Sequence, residues 1–263
     1  MLSVSVRNQN NDVLNFAGNA NYILTNVDGV TPTGANINTS EIATKDGSVF
    51  NSARITNRNI VLTILPIGNV ENNRVALYTY FKVKQKVTLY FTTATRAVFI
   101  QGYVESMETD LYSKQEEMQI SIICPDPYLK DVNESVTDFA QSESSLQCTV
   151  NNVSDVPIGL VAEFAFDGTI ENIALVNEFT MDAIIINRTF NQYQKLVIDT
   201  RQGEKGIYLL QGLTETNLIN YMDLNSKFIQ VNPGFTPLTV TINAGNLGDI
   251  TANVKLQPIY EGV

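Results

Sequence analysis

The sequence predicts a mainly β protein of two domains, and three observations support this. Short runs of alternating apolar and polar residues, separated by turn residues, dominate the chain and are typical of β-rich folds. Its 263 residues exceed the usual size of one domain. A predicted strand over residues 118–124 runs into Cys124-Pro125-Asp126-Pro127-Tyr128, where the prolines cannot donate to a sheet ladder. We therefore expect domains at residues 1–130 and 131–263.

Three strands are predicted in the first domain from their period-two pattern. Ile60, Leu62 and Ile64 fall on one face of the first. The second covers residues 98–104, and the third is the strand that stops at the two prolines. Each pattern indicates a strand packed on one side only.

One helix is predicted between the first two strands, over residues 71–82. Val70, Arg74, Leu77 and Phe81 recur there at helical spacing. The flanking signals are a cap at Asn69, an acidic Glu71 for the positive end, and three lysines for the negative end, Lys82, Lys84 and Lys86.

The second domain is predicted to begin with a linker or long loop over residues 130–155, because that segment is polar. A short helical turn is expected around residues 218–222. Turn chemistry is expected at residues 203–206, 232–234 and 246–249. Seven short strands suggest a sandwich, at residues 160–166, 183–186, 195–199, 207–210, 228–231, 238–243 and 252–258.

Composition narrows the classes of function. The chain has 17 Lys plus Arg against 27 Asp plus Glu, a net charge of -10, which argues against gripping nucleic acid. No apolar run approaches the roughly 18 residues that span a bilayer, so we expect no membrane insertion. The start, Met1 to Arg7, shows no secretion leader, so we expect the chain to be made and folded in the cytoplasm.

Enzyme chemistry is disfavoured, because the chain has no histidine, the commonest general base and the usual partner of a nucleophile. Two carboxylate pairs, Glu116 with Glu117 and Asp182 with Asp199, could serve glycoside hydrolysis only if folding placed them at the required separation. Surface charge is the simpler interpretation. We expect no catalytic residue.

Metal and cofactor sites are not expected either. Residues 131–135 resemble the start of a calcium loop, but Val136 replaces the required glycine and Ser142 the bidentate glutamate. The two cysteines, Cys124 and Cys148, form no metal-type pair. They are expected to be small buried thiols rather than a disulfide.

Several segments, in their order along residues 20–130, together resemble the distal tail protein family of long-tailed phages and phage-tail-like bacteriocins. The ending Cys124-Pro125-Asp126-Pro127-Tyr128 is the most specific. Residues 229–234, 238–245 and the last strand to Tyr260 are more loosely similar. The other matching pieces are Asp46-Gly47-Ser48-Val49-Phe50, Arg58-Asn59-Ile60-Val61-Leu62, Arg74 with Leu77-Tyr78, Ile100-Gln101-Gly102-Tyr103-Val104-Glu105 and Gln119-Ile120-Ser121-Ile122.

This resemblance implies an N-terminal tail-tube-like β-sheet or barrel domain with one helix, followed by a galectin-like β-sandwich. It also implies a homo-hexameric ring in the virion, at the tail tip. The ring would join the tail tube protein to tail-associated proteins and anchor receptor-binding or other baseplate proteins. DNA would pass through its channel without specific binding. Six copies at -10 would give -60 per ring, and we hypothesise that acidic residues line the channel.

Two alternatives stay open at this point. The C-terminal domain could be a carbohydrate-binding module that contacts the host cell wall, although it lacks the histidine and tryptophan of galectin-type sugar recognition. Exposed tyrosines grouped on one sheet face would favour it. A wall-degrading hydrolase would instead require two carboxylates in a cleft.

Overall fold

The computed structural model describes residues 2–44 and 46–263. Met1 and Lys45 lie outside the described residues. Met1 belongs to the start of the chain for which no secretion leader was predicted. The chain forms two compact units, the first comprising Met1–Val132 with Tyr260–Val263 and the second comprising Asn133–Ile259. The predicted mainly β class is confirmed.

The first unit is built on an open antiparallel sheet whose main order is β2-β1-β7-β8-β9-β6-β3, with β10 beside β8. The described pairings do not close into a barrel. One face is apolar because alternate residues point inward, as in β9, where Met118, Ile120, Ile122 and Cys124 are buried. The strands are β1 Ser3–Arg7, β2 Val13–Asn15, β3 Tyr22–Asp28, β4 Ala35–Glu41, β5 Ser48–Ile55, β6 Arg58–Pro66, β7 Lys86–Thr92, β8 Ala97–Thr109, β9 Met118–Cys124 and β10 Leu129–Asp131.

The predicted helix is confirmed as α1, Val70–Tyr80. The Asn69 side chain caps it by accepting from the amide of Asn72 at 3.4 Å. Leu77 and Phe81 pack into the core of the sheet. The expected lysine end is wrong, because the last turn has no basic residue and Lys86 already begins β7. No helix among the described residues is long and apolar enough to cross a bilayer.

The second unit packs two antiparallel sheets around one apolar core. The six-stranded sheet has the order β11-β21-β14-β17-β18-β19 and the five-stranded sheet has the order β12-β13-β20-β15-β16. A short 3-10 turn at Ile219–Tyr221 confirms the weak helical signal. The strands are β11 Ser135–Asp138, β12 Ala140–Gln141, β13 Leu146–Asn152, β14 Val161–Phe166, β15 Ile170–Asn177, β16 Ala183–Phe190, β17 Lys195–Asp199, β18 Gly206–Gln211, β19 Thr214–Asn217, β20 Gly234–Ala244 and β21 Ile250–Leu256, and β22 is Ile259–Tyr260.

Two predictions for this unit are wrong. The expected linker over residues 130–155 holds three strands of the sheets, because Leu146 and Val150 alternate with solvent-facing polar residues and enter the core. The polar composition comes from the outward half of the pattern. Residues 228–231 form no strand and contribute one isolated bridge, between Ile158 and Val231.

Candidate functional site: an exposed hairpin and the Arg58 clamp

A β-hairpin of β4 and β5 stands apart from the main sheet as a two-stranded sheet of its own. Its register runs from Ala35 opposite Ile55 to Glu41 opposite Ser48, with a bulge after Asn38. Every residue of β4 and all of β5 except Ile55 are exposed. An isolated hairpin is marginally stable in water at best, so this arm is suited to being covered by another surface.

The arm also exposes large apolar side chains. Ile37 is 66% exposed and Phe50 is 62% exposed, and Ile42 and Val49 are exposed as well. Single exposed apolar residues are normal, whereas several on one projecting element mark an interaction surface. The hairpin is therefore the strongest candidate for a contact between protein chains.

Arg58 clamps the base of this arm. Only 1% of the residue is exposed, and its guanidinium donates four hydrogen bonds to main-chain oxygens. Nη1 reaches Gly29 at 2.7 Å and Thr31 at 3.0 Å, just before the arm. Nε reaches Pro127 at 2.6 Å and Nη2 reaches Glu261 at 2.6 Å. The Arg58 side chain thus connects three distant segments to the start of β6, just after the arm ends.

Arg58 and Pro127 belong to separate sequence motifs, and the structure brings them together. Burial lowers the pKa of Arg58, while the nearby Cys124 and Glu261 act to raise it. A guanidinium stays protonated in proteins, so the four carbonyl dipoles solvate a buried cation. Such groups are costly unless they are fully hydrogen-bonded.

Gly29 is required at the clamp for steric reasons. Its φ is +83°, in the region that only glycine adopts readily. A Cβ there would lie 2.0 Å from the carbonyl oxygen of Asn59. The close approach lets Gly29 present its own carbonyl to Arg58.

Residues 260–263 complete the clamp, a feature that sequence analysis missed. Arg96 Nη1 donates to the carbonyl of Gly262 at 2.7 Å, and its guanidinium lies 4.1 Å from the ring centroid of Tyr260. The amide of Val263 donates to Val30 at 3.2 Å. The signal available in sequence was one aromatic residue near a segment end, which is too common to predict the contact.

The face of the main sheet opposite its core is mixed, with polar side chains such as Glu105 and Ser121 beside large ones such as Tyr103 and Ile123. Ser121 Oγ lies 2.8 Å from Glu105 Oε2 and 3.0 Å from Asn59 Oδ1. On the core side of the neighbouring strand, Gly102 leaves room for packing, since a Cβ there would lie 2.6 Å from Ile122 and 2.7 Å from Cys124 Sγ. This explains the glycine in one of the quoted motifs.

Charge is divided unequally between the units. The first carries 11 Lys plus Arg against 13 Asp plus Glu, a net charge of -2, and the second carries 6 against 14, a net charge of -8. The excess of carboxylates therefore belongs to the second unit. This division weakens the motivation for an acidic channel, because the unit expected to form the ring is almost neutral.

Three of the four carboxylates considered for glycoside hydrolysis are found in ion pairs. Glu116 lies 3.6 Å from Arg74, Asp182 lies 3.4 Å from Lys227 and Asp199 lies 2.6 Å from Arg201. Each of these three carboxylates thus faces a cation. These contacts agree with the surface-charge interpretation of Asp182 and Asp199.

Metal ligands and thiols are likewise placed by the structure. Within residues 2–44 and 46–263, no group of three or more Cys, Asp or Glu is arranged to hold a metal ion. Cys124 in β9 and Cys148 in β13 are free thiols in different units. Burial raises the pKa of each thiol to about 12.

The three tyrosines of the second unit lie on three different elements. Tyr193 lies in the turn after β16, Tyr208 lies on β18 and Tyr221 lies in the 3-10 turn. Arg188 stacks over Tyr221 at 5.0 Å.

Residues 153–254 match the family model described as siphovirus-type tail component, C-terminal domain. A sequence search of curated proteins found no match. The fold is similar to the crystal structure of the Dit protein (gp 19.1) of phage SPP1, which is described as a paradigm of hub adsorption apparatus in Gram-positive infecting phages. The two sequences are 13% identical, and the superposition covers 97% of the present chain and 98% of the SPP1 chain, with a TM-score of 0.73. Chains of the phage P2 baseplate in its activated conformation, with Ca and with Sr, are 12% identical over 100% of both chains, with TM-scores of 0.53 and 0.51.

Proposed function

We propose that the chain is a structural hub of a siphophage tail and belongs to the siphovirus-type tail component family, whose C-terminal domain model matches residues 153–254. Six copies form a ring that joins the tail tube to the tail tip and holds receptor-binding or other baseplate proteins. The protein resides in the virion and catalyses no reaction. Its role is geometric.

The exposed hairpin is the observation that carries this proposal. A projecting two-stranded arm with exposed Ile37 and Phe50 needs a covering surface. Repeated head-to-tail contact between an arm and the next copy closes into a ring when the rotation per subunit fits. The Arg58 clamp supports this use, because it fixes the base from which the arm projects.

We assign the two units different roles in the ring. The tail-tube-like first unit lines the channel, and its net charge of -2 offers no excess of cations that would bind DNA. The second unit is a galectin-like sandwich that faces outward and docks other tail-tip proteins. The scattered positions of its tyrosines favour protein docking over sugar binding.

The mass of the purified chain in solution tests the ring. We expect light scattering to give about 175 kDa, six times 29.1 kDa. The double variant Ile37→Ser with Phe50→Ser should shift the mass towards 29.1 kDa, because both substitutions remove apolar contacts of the arm. The matched control, Leu213→Ser with Leu224→Ser, alters two fully exposed residues of the second unit and should keep the ring.

A ring whose mass is unaffected by the hairpin variant would show that the arm is not the contact. A wild-type monomer at every concentration would contradict self-assembly of the chain. In that case binding of cell-wall glycans becomes the next assay, since it tests the alternative function directly.

A further inference from the structure

The second unit presents a rigid apolar surface that its own fold does not use. Phe179 is 72% exposed, Met181 is 71% exposed and Phe235 is 74% exposed. Phe179 and Met181 lie in the turn between β15 and β16, and Phe235 lies at the start of β20. The amide of Glu178 donates to Pro237 at 3.1 Å, which places this turn beside that end of β20. We call Phe179, Met181 and Phe235 the Phe179 patch.

Asn177 holds the turn in one conformation. It is buried, with 1% exposed, and its Nδ2 donates to the carbonyl of Gln230 at 3.0 Å. Its Oδ1 accepts from the amides of Phe179 at 2.9 Å and Thr180 at 3.2 Å. Its carbonyl accepts from the amide of Met181 at 2.8 Å. A buried side chain with three bonds therefore fixes the residues that project into solvent.

Met181 adopts a left-handed backbone, with φ +58°. This region is unfavourable for a long side chain, and such strain persists only where surrounding structure imposes it. A glycine or asparagine would fit the turn better and would expose no apolar surface. The sequence instead keeps a methionine, which adapts its shape to a partner.

We propose that the Phe179 patch docks a different protein of the tail tip, through a segment that is apolar at its centre and basic at its rim. This inference rests on the proposed function and names the surface on which docking occurs. Rigid aromatic anchors surrounded by polar residues are the usual centres of such interfaces. The fixed turn reduces the entropy that binding would otherwise cost.

Charge selects the partner. The unit has a net charge of -8, so a second copy of the same unit is repelled and a cationic segment is attracted. Glu178 is exposed beside the patch, whereas Asp182 is already paired with Lys227. The exposed carboxylate of Glu178 is thus suited to a basic rim on the partner.

Hydroxyl-radical footprinting of the full chain tests coverage, comparing free protein with intact tail particles. We expect oxidation of the three patch residues to fall roughly tenfold in the particles, since a docked interface excludes water from its centre. Tyr193, 79% exposed at the opposite end of β16, is the internal control and should stay within about twofold. Equal oxidation of the patch in both samples would overturn the proposal.

A photo-crosslinking residue in place of Phe179 then identifies the occupant in the same particles. We expect a crosslink to a different polypeptide, at a segment with net positive charge. A crosslink to another copy of this chain, or to an acidic segment, would overturn the proposal. Both results are read in particles that contain the chain.

A double variant separates this inference from the ring. Phe179→Ser with Met181→Asn removes the apolar surface and gives the left-handed position a residue that tolerates it. Particles carrying it should lose the crosslinked partner while the solution mass of the chain stays unchanged. Tyr193→Asn, at φ +66°, is the matched control and should keep the partner. If the wild-type chain forms no ring, the proposed function is refuted. If the double variant keeps the crosslinked partner, only this inference is refuted.

Discussion

Replacing Arg58 by Met should selectively destabilise the first unit. Methionine fills much of the volume but donates no hydrogen bond, so the carbonyls of Gly29, Thr31, Pro127 and Glu261 lose their shared donor. Four bonds from a charged donor at about 1.5 kcal/mol each, the low end for bonds to charged groups, give a gross loss of about 6 kcal/mol. Relief from burying a charge offsets part of this loss. We expect a net destabilisation of about 4 kcal/mol.

The two cysteines make a unit-specific assay, because one lies in each unit. Cys124 pairs directly with Arg58 across β9 and β6, and Cys148 lies in the second unit. Both thiols have pKa values raised to about 12 by burial, so neither reacts as a thiolate near neutral pH until its unit opens. Mass spectrometry after a short alkylation pulse in urea measures each opening separately.

A loss of 4 kcal/mol corresponds to roughly a thousandfold increase in the open population. Labelling of Cys124 should therefore begin at much lower urea in Arg58→Met, while labelling of Cys148 keeps its wild-type midpoint. Arg54→Met alters an exposed arginine of the same segment and should change the midpoint little. An unchanged Cys124 midpoint, or an equal shift at both cysteines, would refute the clamp.

Three further changes test other parts of the structure. Gly29→Ala would place an alanine in the left-handed region and bring its Cβ into a clash with the carbonyl of Asn59. The free energy of unfolding of the first unit should fall by roughly 2 kcal/mol, and Cys124 should be labelled at lower urea. An unchanged midpoint would contradict the close approach. The pKa of Tyr80 is raised to about 12, chiefly by burial. Its contribution to stability is therefore complete below pH 10 and is lost as pH rises through 12. Circular dichroism should show a smaller alkaline loss of folded structure in Tyr80→Phe than in wild type, and identical curves would argue against this role. Burial acts to raise the pKa of Glu163, but hydrogen bonds from Lys255 and Lys195 outweigh it and lower the pKa below 4.5. The resulting stabilisation of the second unit is present above pH 4.5 and is lost as pH falls through the folded pKa. Glu163→Gln should therefore flatten the acid dependence of Cys148 labelling, and an unaltered dependence would exclude Glu163 as its source.

Local patterns in the sequence predicted much of the first unit. The strand that ends at Cys124 and the helix after Asn69 are both where the period and the breaking residues indicated. Each depends on neighbours within one turn or one strand. The two strands within residues 140–152 were not predicted, because their short and mostly polar sequences give little of the apolar pattern on which such predictions depend.

The clamp could not be predicted from the sequence. Arg58 binds main-chain carbonyls at residues 29, 31, 127 and 261, and every residue has a carbonyl, so no residue type marks the acceptors. Only the fold determines which ones converge. The resemblance to the distal tail family identified the segments but not the contact between them.

The exposed turn of the second unit was missed for a related reason. Phe179 and Met181 appear in sequence as ordinary apolar residues beside a strand, which are usually buried. Their exposure follows from the bonds of Asn177 and from the left-handed backbone of Met181. These are properties of the folded turn.

Electron cryo-microscopy of intact tail particles tests the central claim most directly. The account predicts six copies of this chain in one ring at the distal end of the tail tube, with the β4–β5 hairpin of each copy covering its neighbour and the second units facing outward. A different number of copies, a position away from the tube end, or hairpins that remain in solvent would contradict it.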